Sequence, residues 1–426
     1  MTKPKIIPRT DHPISREQIS SSAIKVLNGL KHAGFDACLV GGCVRDLMLG
    51  YEPKDFDIVT NALPDQILPL FRSARRIGRR FELIHVRFGR EIIEVATYRG
   101  LPEANTDDNK TESGRLLRDN VFGTQEQDAL RRDITVNALY YNFHDFSVID
   151  YVGGVADLEA GILRMIGNPE TRFREDPVRM LRVLRFAAKL GFRIEDETAT
   201  PIKRLGVLLD EVPAARRFEE VLKLFQGGSA LTTFELLRRY GLFQYLFPMT
   251  EISLAEFDES YSTIFVPKAL QNTDTRIIEG KPVTPAFLYA VMLWGPVRQR
   301  QDVLIERGAS PAEALRQAAS EILSRQSAYT SVPRRFSGPM REIWNLQSRF
   351  ARRRGKMAFR LAAHERLRAA YDFLLLRTEA GELESELAHW WTEFQEQSDS
   401  GRRSMVNRLT GEGSGKGRKR RRRRKK

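Results

Sequence analysis

The sequence has few cysteines, no long apolar run and no leader-like start, and each of these scarcities excludes a class of protein. Only two cysteines, Cys38 and Cys43, occur in 426 residues, which is too few for a disulfide framework and fits a reducing cytoplasm. Cys and His residues at the spacing of a zinc site are also missing. The longest apolar stretch, Pro285 to Val297, is shorter than the ~18 residues of a membrane-spanning helix. Charges run through the first twenty residues, so we expect a cytoplasmic protein without a secretory signal or transmembrane segment.

Positive charge is abundant, and its distribution matters more than its sum. The formal net charge is +14, and residues 416–426 (KGRKRRRRRKK) carry ten positive charges, which leaves +4 for the rest of the chain. Such a run is either a solvated tail that binds any anion or an electrostatic tether for RNA. Both interpretations predict a disordered tail, because like charges repel one another and cannot be buried.

The periodicity of apolar residues divides the chain into an α/β part and a helical part. Apolar residues make up 42% of the chain, enough for a sizeable core, and the length predicts two to four domains. The first ~150 residues alternate between strand and helix patterns, whereas helical spacing dominates after Asp157. The predicted elements are a helix over 15–33, a strand over 37–40, a helix over 44–49, a strand over 55–59, a hairpin over 80–98, a polar loop over 101–125 and a linker over 401–417.

The first pattern that indicates chemistry is a strand followed by two glycines and a helix, Leu39-Val40-Gly41-Gly42-Cys43-Val44-Arg45-Asp46. Glycine allows a positive φ and a close approach of the backbone to a ligand. The N-terminus of the following helix offers unpaired N–H groups to a phosphate. Taken alone, such a turn is more often a plain connection than a phosphate site.

The second pattern is Asp55-Phe56-Asp57. Residues i and i+2 of a strand face the same side, so the two carboxylates would project together and Phe56 would face the opposite side. The paired charges repel unless a cation lies between them, and Mg²⁺ prefers oxygen ligands shared with substrate phosphates. A solvent-facing pair of aspartates is the commoner alternative for this short motif.

A third acid and an arginine come from Arg131-Arg132-Asp133. Asp133 could complete a metal-binding set, and Arg132 could bind a triphosphate in bidentate fashion. The alternative is a capped helix start in water. Glu94 competes as the third acid, because a charge inside the apolar strand from Ile92 to Val95 needs a reason. We prefer Asp133 over Glu94.

The fourth pattern is a helix that begins near Asp176-Pro177, a good cap and first-turn pair. Arg179, Arg182 and Arg185 recur every three residues and form a stripe. These arginines repel one another unless an anion is present, and a base edge with a triphosphate would supply the acceptors. The commoner alternative is a solvated basic face.

In this order, the four patterns resemble those of class II polymerase-β-like nucleotidyltransferases, the branch that holds tRNA CCA-adding enzymes and bacterial poly(A) polymerases. The similarity extends from about Ser15 to Pro248. It implies an α+β fold with a nucleotidyltransferase head built on a small mixed sheet, followed by all-helical neck, body and tail domains. The implied domains are a catalytic head over 1–155, a neck over 156–250 that binds the nucleotide base and RNA, a body and tail over 251–400 that bind RNA, and a disordered basic terminus over 401–426.

The resemblance also implies roles for particular residues. Transfer of AMP from ATP to an RNA 3′-hydroxyl, with release of pyrophosphate, would use two Mg²⁺ ions. The implied catalytic and metal-binding residues are Asp55, Asp57 and Asp133, and the implied nucleotide-binding residues are Gly41, Gly42, Arg45, Arg132, Asp176, Arg179, Arg182 and Arg185. A monomer that works in RNA processing and decay, with RNA-decay machinery as a partner, is the corresponding expectation.

Two stretches favour the poly(A) polymerase side of this family. Ile77 to Gly89 and Leu116 to Gly123 are more similar to poly(A) polymerases than to CCA-adding enzymes, and so is the Arg/Lys tail. CCA addition to tRNA remains the nearest alternative. A non-catalytic RNA-binding relative and a transferase acting on a small molecule or protein are more distant ones.

The helical part contains a basic, aromatic-bearing segment that we predict binds RNA. Single strands bind through phosphate charge and through stacking of bases on aromatic rings. The alternative is that Trp344 and Phe350 belong to the helical core and the arginines are solvated. The predicted RNA-binding residues are Arg334, Arg335, Trp344, Arg352, Arg353 and Arg354.

Overall fold

A computed structural model describes residues 3–78, 82–100, 121–256 and 261–411. The chain divides into two compact units, Met1–Leu209 and Asp210–Lys426. Some predicted features lie outside the described residues. These are residues 79–81 of the stretch from Ile77 to Gly89, most of the polar loop over 101–125 with the first part of the stretch from Leu116 to Gly123, and the basic run over 416–426.

A mixed sheet forms the centre of the first unit. Its strands are β1 Lys5–Ile7, β2 Ala37–Val40, β3 Asp57–Thr60, β4 Ala74–Ile77, β5 Leu83–Phe88, β6 Glu91–Thr97, β7 Leu139–Asn142 and β8 Val148–Asp150. They lie in the order β1-β8-β7-β2-β3-β6-β5-β4, and every neighbouring pair is antiparallel except β3 with β6. All four residues of β2 are buried, because β2 is a central strand with a neighbour on each side.

Helices surround this sheet, and a short parallel pair of strands accompanies them. The helices are α1 Ser21–His32, α2 Gly42–Met48, α3 Pro64–Ile67, α4 Gln125–Arg131, α5 Gly154–Ala160, α6 Pro169–Glu175, α7 Val178–Leu190 and α8 Asp196–Leu205, and the pair is β9 Ile162–Leu163 with β10 Arg193–Ile194. Val26, Leu27 and Leu30 of α1 are fully buried. Their helical spacing places them on one face, and α1 contacts β2, β3 and β6.

The described part of the second unit is helical and contains no strand. Its helices are α9 Ala214–Phe225, α10 Ala230–Arg239, α11 Pro248–Glu256, α12 Tyr261–Ile278, α13 Pro285–Met292, α14 Trp294–Glu306, α15 Pro311–Gln326, α16 Arg334–Phe350, α17 Lys356–Ala362, α18 Leu367–Glu379, α19 Ser385–Glu396 and α20 Asp399–Gly411. The predicted α+β fold, with a sheet-containing head before helical domains, is thus confirmed. No helix in the described ranges is long and apolar enough to cross a membrane.

Several predicted element boundaries differ from the structure, and the first helix, the strand with the aspartates and the terminal linker differ in ways that matter here. The helix predicted over 15–33 begins at Ser21, because Ser20 caps it by accepting a hydrogen bond from the Ala23 backbone N–H. The strand predicted over 55–59 begins at Asp57. The linker predicted over 401–417 is helical as far as Gly411, because Met405 and Val406 are buried in a core cluster that rewards a helix there.

Candidate active site

The two glycines form the turn between β2 and α2, as the sequence predicts. Gly41 has φ 78° and ψ −131°, a conformation that disfavours any residue with a Cβ. Its backbone N–H donates to the carbonyl oxygen of Leu139 at 3.2 Å. A Cβ added at Gly41 would lie 3.3 Å from Nη1 of Arg132, so the turn and this guanidinium are close neighbours.

The two aspartates lie at the start of β3, beside the glycine turn's strand. Asp55 is exposed in the bend before β3, Asp57 is its half-buried first residue, and Phe56 between them is buried. This alternation agrees with the predicted same-side placement of the carboxylates. In the parallel pairing of β3 with β6, Asp57 is directly opposite Glu94. The register therefore brings a third acid to the pair.

The charges around Asp57 are unbalanced. Burial is the largest cause that raises the pKa of Asp57; together with Glu94 and Asp55, and against the opposite effect of Arg132, it brings that pKa to about 6. Carboxylates that raise one another's pKa are relieved when a cation binds between them. The chemistry of these donors thus fits a hard divalent ion such as Mg²⁺.

The acids are not yet arranged as a finished metal site. Across 3–78, 82–100, 121–256 and 261–411, no group of three or more His, Cys, Asp or Glu side chains is placed to hold a metal ion. Asp55 is exposed, so rotation of its side chain could bring its oxygens toward Asp57 and Glu94.

Asp133, which we preferred as the third metal ligand, is bound by two arginines in this structure. Its Oδ1 accepts from Nε of Arg179 at 3.0 Å, and its Oδ2 is 2.5 Å from Nε of Arg182. Burial alone would raise the pKa of Asp133, but Arg182 and Arg179 together hold that pKa below its usual range. A metal-binding role of Asp133 stays a prediction, and the register that places Glu94 opposite Asp57 favours Glu94 as the alternative.

Arg132 lies where a triphosphate-binding residue is expected. Its Nε and Nη2 donate to Oδ2 of Asp128 at 3.1 and 3.0 Å, and its Nε also donates to the Tyr140 hydroxyl at 3.1 Å. The remaining nitrogen, Nη1, is the one beside Gly41. A cation is therefore held against the glycine turn, which complements the charge of a phosphate.

Arg45 is a buried brace in this structure. Its Nε and Nη2 donate to Oδ1 of Asp46 at 2.8 and 2.6 Å, and its Nη1 donates to Oδ1 of Asn137 at 2.5 Å. The guanidinium also lies over the ring of Phe186. Because all three nitrogens have protein partners, Arg45 ties α2 to Asn137. Its direct contact with a nucleotide stays a prediction.

The arginine stripe on α7 is partly neutralised by the chain itself. Arg179 donates through Nε to Asp133 and through Nη1 to Oε2 of Glu175 at 2.9 Å, and Arg182 pairs with Asp133. The guanidinium of Arg185 lies 4.9 Å from the ring centroid of Phe186. The anion that we expected from a nucleotide is supplied first by Asp133. Helix α7 begins at Val178 with Pro177 as its cap residue, one residue later than predicted. Asp176 ends α6 and accepts from the Val178 backbone N–H at 3.4 Å, and its base-reading role is untested.

Four residues of the site, two of them buried and two half-buried, escaped the sequence analysis. Asp128 and Tyr140 bind Arg132, Asn137 binds Arg45, and Arg172 donates through Nη2 to the carbonyl oxygens of Arg131 and Arg132. The spacing of four residues between Asp128 and Arg132 was a usable signal, because such pairs face each other on a helix. Arg172 gave no such signal, because its carbonyl partners are distant in sequence.

The predicted RNA segment divides into core and surface residues. Trp344 and Phe350 are fully buried, and the indole N–H of Trp344 donates to the Ala290 carbonyl oxygen at 3.1 Å. Stacking of bases on Trp344 is therefore excluded in this conformation, and that prediction was wrong. Arg353 pairs with Glu386, whereas four other arginines are exposed: Arg334, Arg335, Arg352 and Arg354.

The sheet, its glycine turn and its acids are the arrangement expected of a nucleotidyltransferase head. Family models agree: one described as the poly A polymerase head domain matches residues 37–164, one described as a probable RNA and SrmB-binding site of polymerase A matches 191–253, and one described as the polymerase A arginine-rich C-terminus matches 307–426. The chain is 50% identical to poly(A) polymerase I of Escherichia coli O6:H1 over 96% of its own length and 90% of the relative's. It belongs to the bacterial poly(A) polymerase family.

Enzymes with CCA-type names are more distant relatives. A CC-adding tRNA nucleotidyltransferase of Halalkalibacterium halodurans is 35% identical over 54% of this chain and 55% of its own. A solved structure of a tRNA-processing enzyme in an apo form aligns with a TM-score of 0.59 at 21% identity, covering 90% of this chain and 99% of the other. At that identity the likeness concerns the fold alone.

Proposed function

We propose that this chain adds adenylates from ATP to the 3′ ends of RNA without a template, releasing pyrophosphate. The observation that carries the proposal is the register that places Glu94 opposite Asp57, beside the strand whose glycine turn is lined by Arg132. The poly(A) polymerase I relative, similar over nearly the whole chain, favours adenylate addition. CCA addition to tRNA is the alternative, and the relatives that carry that name match about half of the chain.

In this mechanism the acids hold two Mg²⁺ ions and the turn holds the triphosphate. Asp55, Asp57 and Glu94 are the proposed ligands. When bound, Mg²⁺ would increase the acidity of the RNA 3′-hydroxyl and neutralise charge on the leaving pyrophosphate. The backbone of Gly41 and Gly42 and the Nη1 of Arg132 would bind the phosphates. Catalysis then rests on placing charge, with no covalent intermediate on the chain.

We propose that adenine is selected by Arg179, in the first turn of α7, and by Asp176, two residues before α7 begins. Arg179 is held by Asp133 and Glu175, so its guanidinium is already oriented before a base arrives. A site built to hydrogen-bond one base edge rejects other bases strongly, because mismatched polar groups remain unpaired. Asp133 would thus act on base selection by positioning Arg179.

The remaining expectations extend this proposal beyond the head. We propose a catalytic head over 1–155, a neck over 156–250, and a body and tail over 251–400 that contact RNA through exposed arginines such as Arg352 and Arg354. We also propose that the chain works as a monomer in the cytoplasm and supplies tails for RNA processing and decay.

An extension assay tests the reaction. The purified chain is incubated with Mg²⁺, all four nucleoside triphosphates, and either oligo(A) or tRNA lacking its 3′ end. We expect long tails of A on both RNAs with stoichiometric pyrophosphate. Asp55→Ala and Asp57→Ala should each lower incorporation at least about 100-fold, as expected when charge stabilisation of the reacting groups is lost, while circular dichroism stays unchanged.

Three results would contradict the proposal in different ways. A stop after CCA would assign the chain to tRNA maturation. Absence of pyrophosphate release would indicate a non-catalytic relative. Near-normal activity of either alanine variant would remove the metal assignment.

A further inference from the structure

Two buried residues, Asp128 and Tyr140, bind the guanidinium of Arg132, and we call these three residues the Arg132 trio. Asp128, at the position four residues before Arg132, has one oxygen, Oδ2, within 3.1 Å of both Nε and Nη2 of Arg132. The hydroxyl of Tyr140 on β7 donates to that same oxygen at 2.7 Å and accepts from Nε of Arg132 at 3.1 Å. Asp128 is 4% exposed and Tyr140 is 0% exposed, so these bonds are shielded from water and are correspondingly strong.

The trio decides which edge of the guanidinium faces the site. Nε and Nη2 are both directed at Asp128, and the guanidinium carbon lies 5.4 Å from the centroid of the Tyr140 ring. Nη1 is the nitrogen left toward the glycine turn, where its protein acceptor, the Asn137 carbonyl oxygen, is at the 3.5 Å limit of a hydrogen bond. An arginine side chain otherwise has many rotamers, and restricting it in advance reduces the entropy lost on binding.

We propose that Asp128 and Tyr140 are positioning residues that hold Nη1 of Arg132 against the Gly41–Gly42 turn to receive the triphosphate of ATP. This inference rests on the proposed function and adds to it two residues that touch neither nucleotide nor RNA. A purely structural role for the trio makes a different prediction, because it would weaken the fold and affect ATP and RNA alike.

Tyr140→Phe is the decisive variant, because it removes one oxygen and leaves the ring and the charges in place. Without the hydroxyl, Arg132 loses one acceptor and Asp128 loses one donor, so the guanidinium is less restricted. We expect the KM for ATP to rise about tenfold, the scale of one lost hydrogen bond to a charged group. Inhibition by added pyrophosphate should weaken by a similar factor, whereas kcat and the KM for oligo(A) should stay within about twofold.

Tyr151→Phe is the matched control. Tyr151 is an adjacent tyrosine, its ring 6.1 Å from that of Tyr140, and its hydroxyl donates to Oε1 of Gln125 at 2.9 Å. Tyr151→Phe therefore loses a hydroxyl hydrogen bond to a neutral amide and leaves every partner of Arg132 in place. We expect its KM for ATP and its inhibition by pyrophosphate to match those of the wild type.

A double-mutant cycle tests whether Tyr140 acts through Arg132. In an Arg132→Lys background, which lacks the fork of nitrogens, Tyr140→Phe should change the KM for ATP less than twofold, because coupled residues do not contribute additively. Asp128→Asn keeps an acceptor but removes the charge, and it should raise the KM for ATP more than Tyr140→Phe does.

The outcomes separate this inference from the proposed function. Normal extension by the wild type with an unchanged KM for ATP in Tyr140→Phe would overturn the positioning role alone. Equal losses toward ATP and oligo(A), together with a lower melting temperature, would show a structural role and also overturn it. Failure of the wild type to extend any RNA with ATP would overturn the proposed function, and the positioning role with it.

Discussion

The third acid shows what a single residue's neighbours decide. Glu94 and Asp133 are both acids close to apolar segments, and each could complete a metal set with Asp55 and Asp57. The parallel register places Glu94 opposite Asp57, whereas Asp133 is paired with two arginines of α7. Register between strands separated by a hairpin depends on tertiary packing, so the sequence could predict the need for a third acid without identifying it.

Two variants separate these acids by their response to Mg²⁺. Glu94→Gln should lower incorporation into oligo(A) about 100-fold or more, because the variant lacks the negative charge of a proposed Mg²⁺ ligand next to the reacting groups. Asp133→Asn should leave the Mg²⁺ concentration for half-maximal rate unchanged and should weaken the preference for ATP over CTP, because Arg179 loses the charge of one of its two acidic partners. Initial rates measured across a Mg²⁺ titration check both. An active Glu94→Gln beside an Asp133→Asn that needs tenfold more Mg²⁺ would restore the original preference.

Asp57 also links the site to stability. Its pKa of about 6 in the folded chain is above the usual value of 3.8, so the folded state holds this proton more tightly than the unfolded state does. Ionisation of Asp57 therefore costs stability as pH rises from about 4 to about 6, and the full cost is present above that range. This cost of ionisation agrees with the proposed role of the Asp57 carboxylate in binding Mg²⁺.

We expect Asp57→Asn to stabilise the metal-free protein at pH 8 by about 1–3 kcal/mol, since one pKa unit corresponds to about 1.4 kcal/mol. The gain should fade as pH approaches 4, where the wild-type carboxyl is protonated in both states. Added Mg²⁺ should raise the melting temperature of the wild type and not that of the variant. Thermal unfolding at pH 4, 6 and 8 with EDTA or Mg²⁺ measures this. Equal stability of Asp57→Asn and wild type at pH 8 would contradict the account.

At the scale of elements, strong local signals were reliable and long-range ones were not. The glycine turn between β2 and α2 and the hairpin of β5 and β6 were predictable, because glycines and apolar alternation specify them locally. Strand β4, which pairs with β5, carries the polar sequence Ala74-Arg75-Arg76-Ile77 and gave no apolar signal. An edge strand needs only one neighbour, so charged residues there are tolerated.

Helix α16 shows how aromatic residues in a basic segment should be interpreted. Trp344 and Phe350 are fully buried, and they belong with Met340, Ile343 and Leu346 to the buried face of this amphipathic helix. Arg352 and Arg354, just beyond the helix, are exposed. The sequence contained both possibilities, and burial of apolar area, worth roughly 1.5–3 kcal/mol for a large side chain, decided for the core. What remains for RNA in this segment is charge without stacking.

At the scale of the whole molecule, positive charge is concentrated at one end of the sequence. Ten of the fourteen net charges belong to residues 416–426, whereas arginines around the head site are balanced by acids such as Asp128, Asp133 and Glu175. The basic terminus would then attract RNA over a long range, and the head site would bind and orient ATP. Counterion release makes only the first of them strongly dependent on salt.

Deleting residues 416–426 tests this division of tasks. Each phosphate contact on single-stranded RNA contributes about 0.7 to the slope of log affinity against log salt, so loss of several contacts should reduce that slope by about 2 to 5. Fluorescence anisotropy of labelled oligo(A) between 50 and 300 mM KCl, on the order of the salt range over which such contacts are screened, measures it. A chain whose tail is replaced by Gly and Ser residues controls for length.

Single-turnover extension at saturating RNA should be unchanged, because the head site keeps all its partners. An unaltered salt slope would mean that the tail is merely solvated and that the exposed arginines of the helical unit hold the RNA.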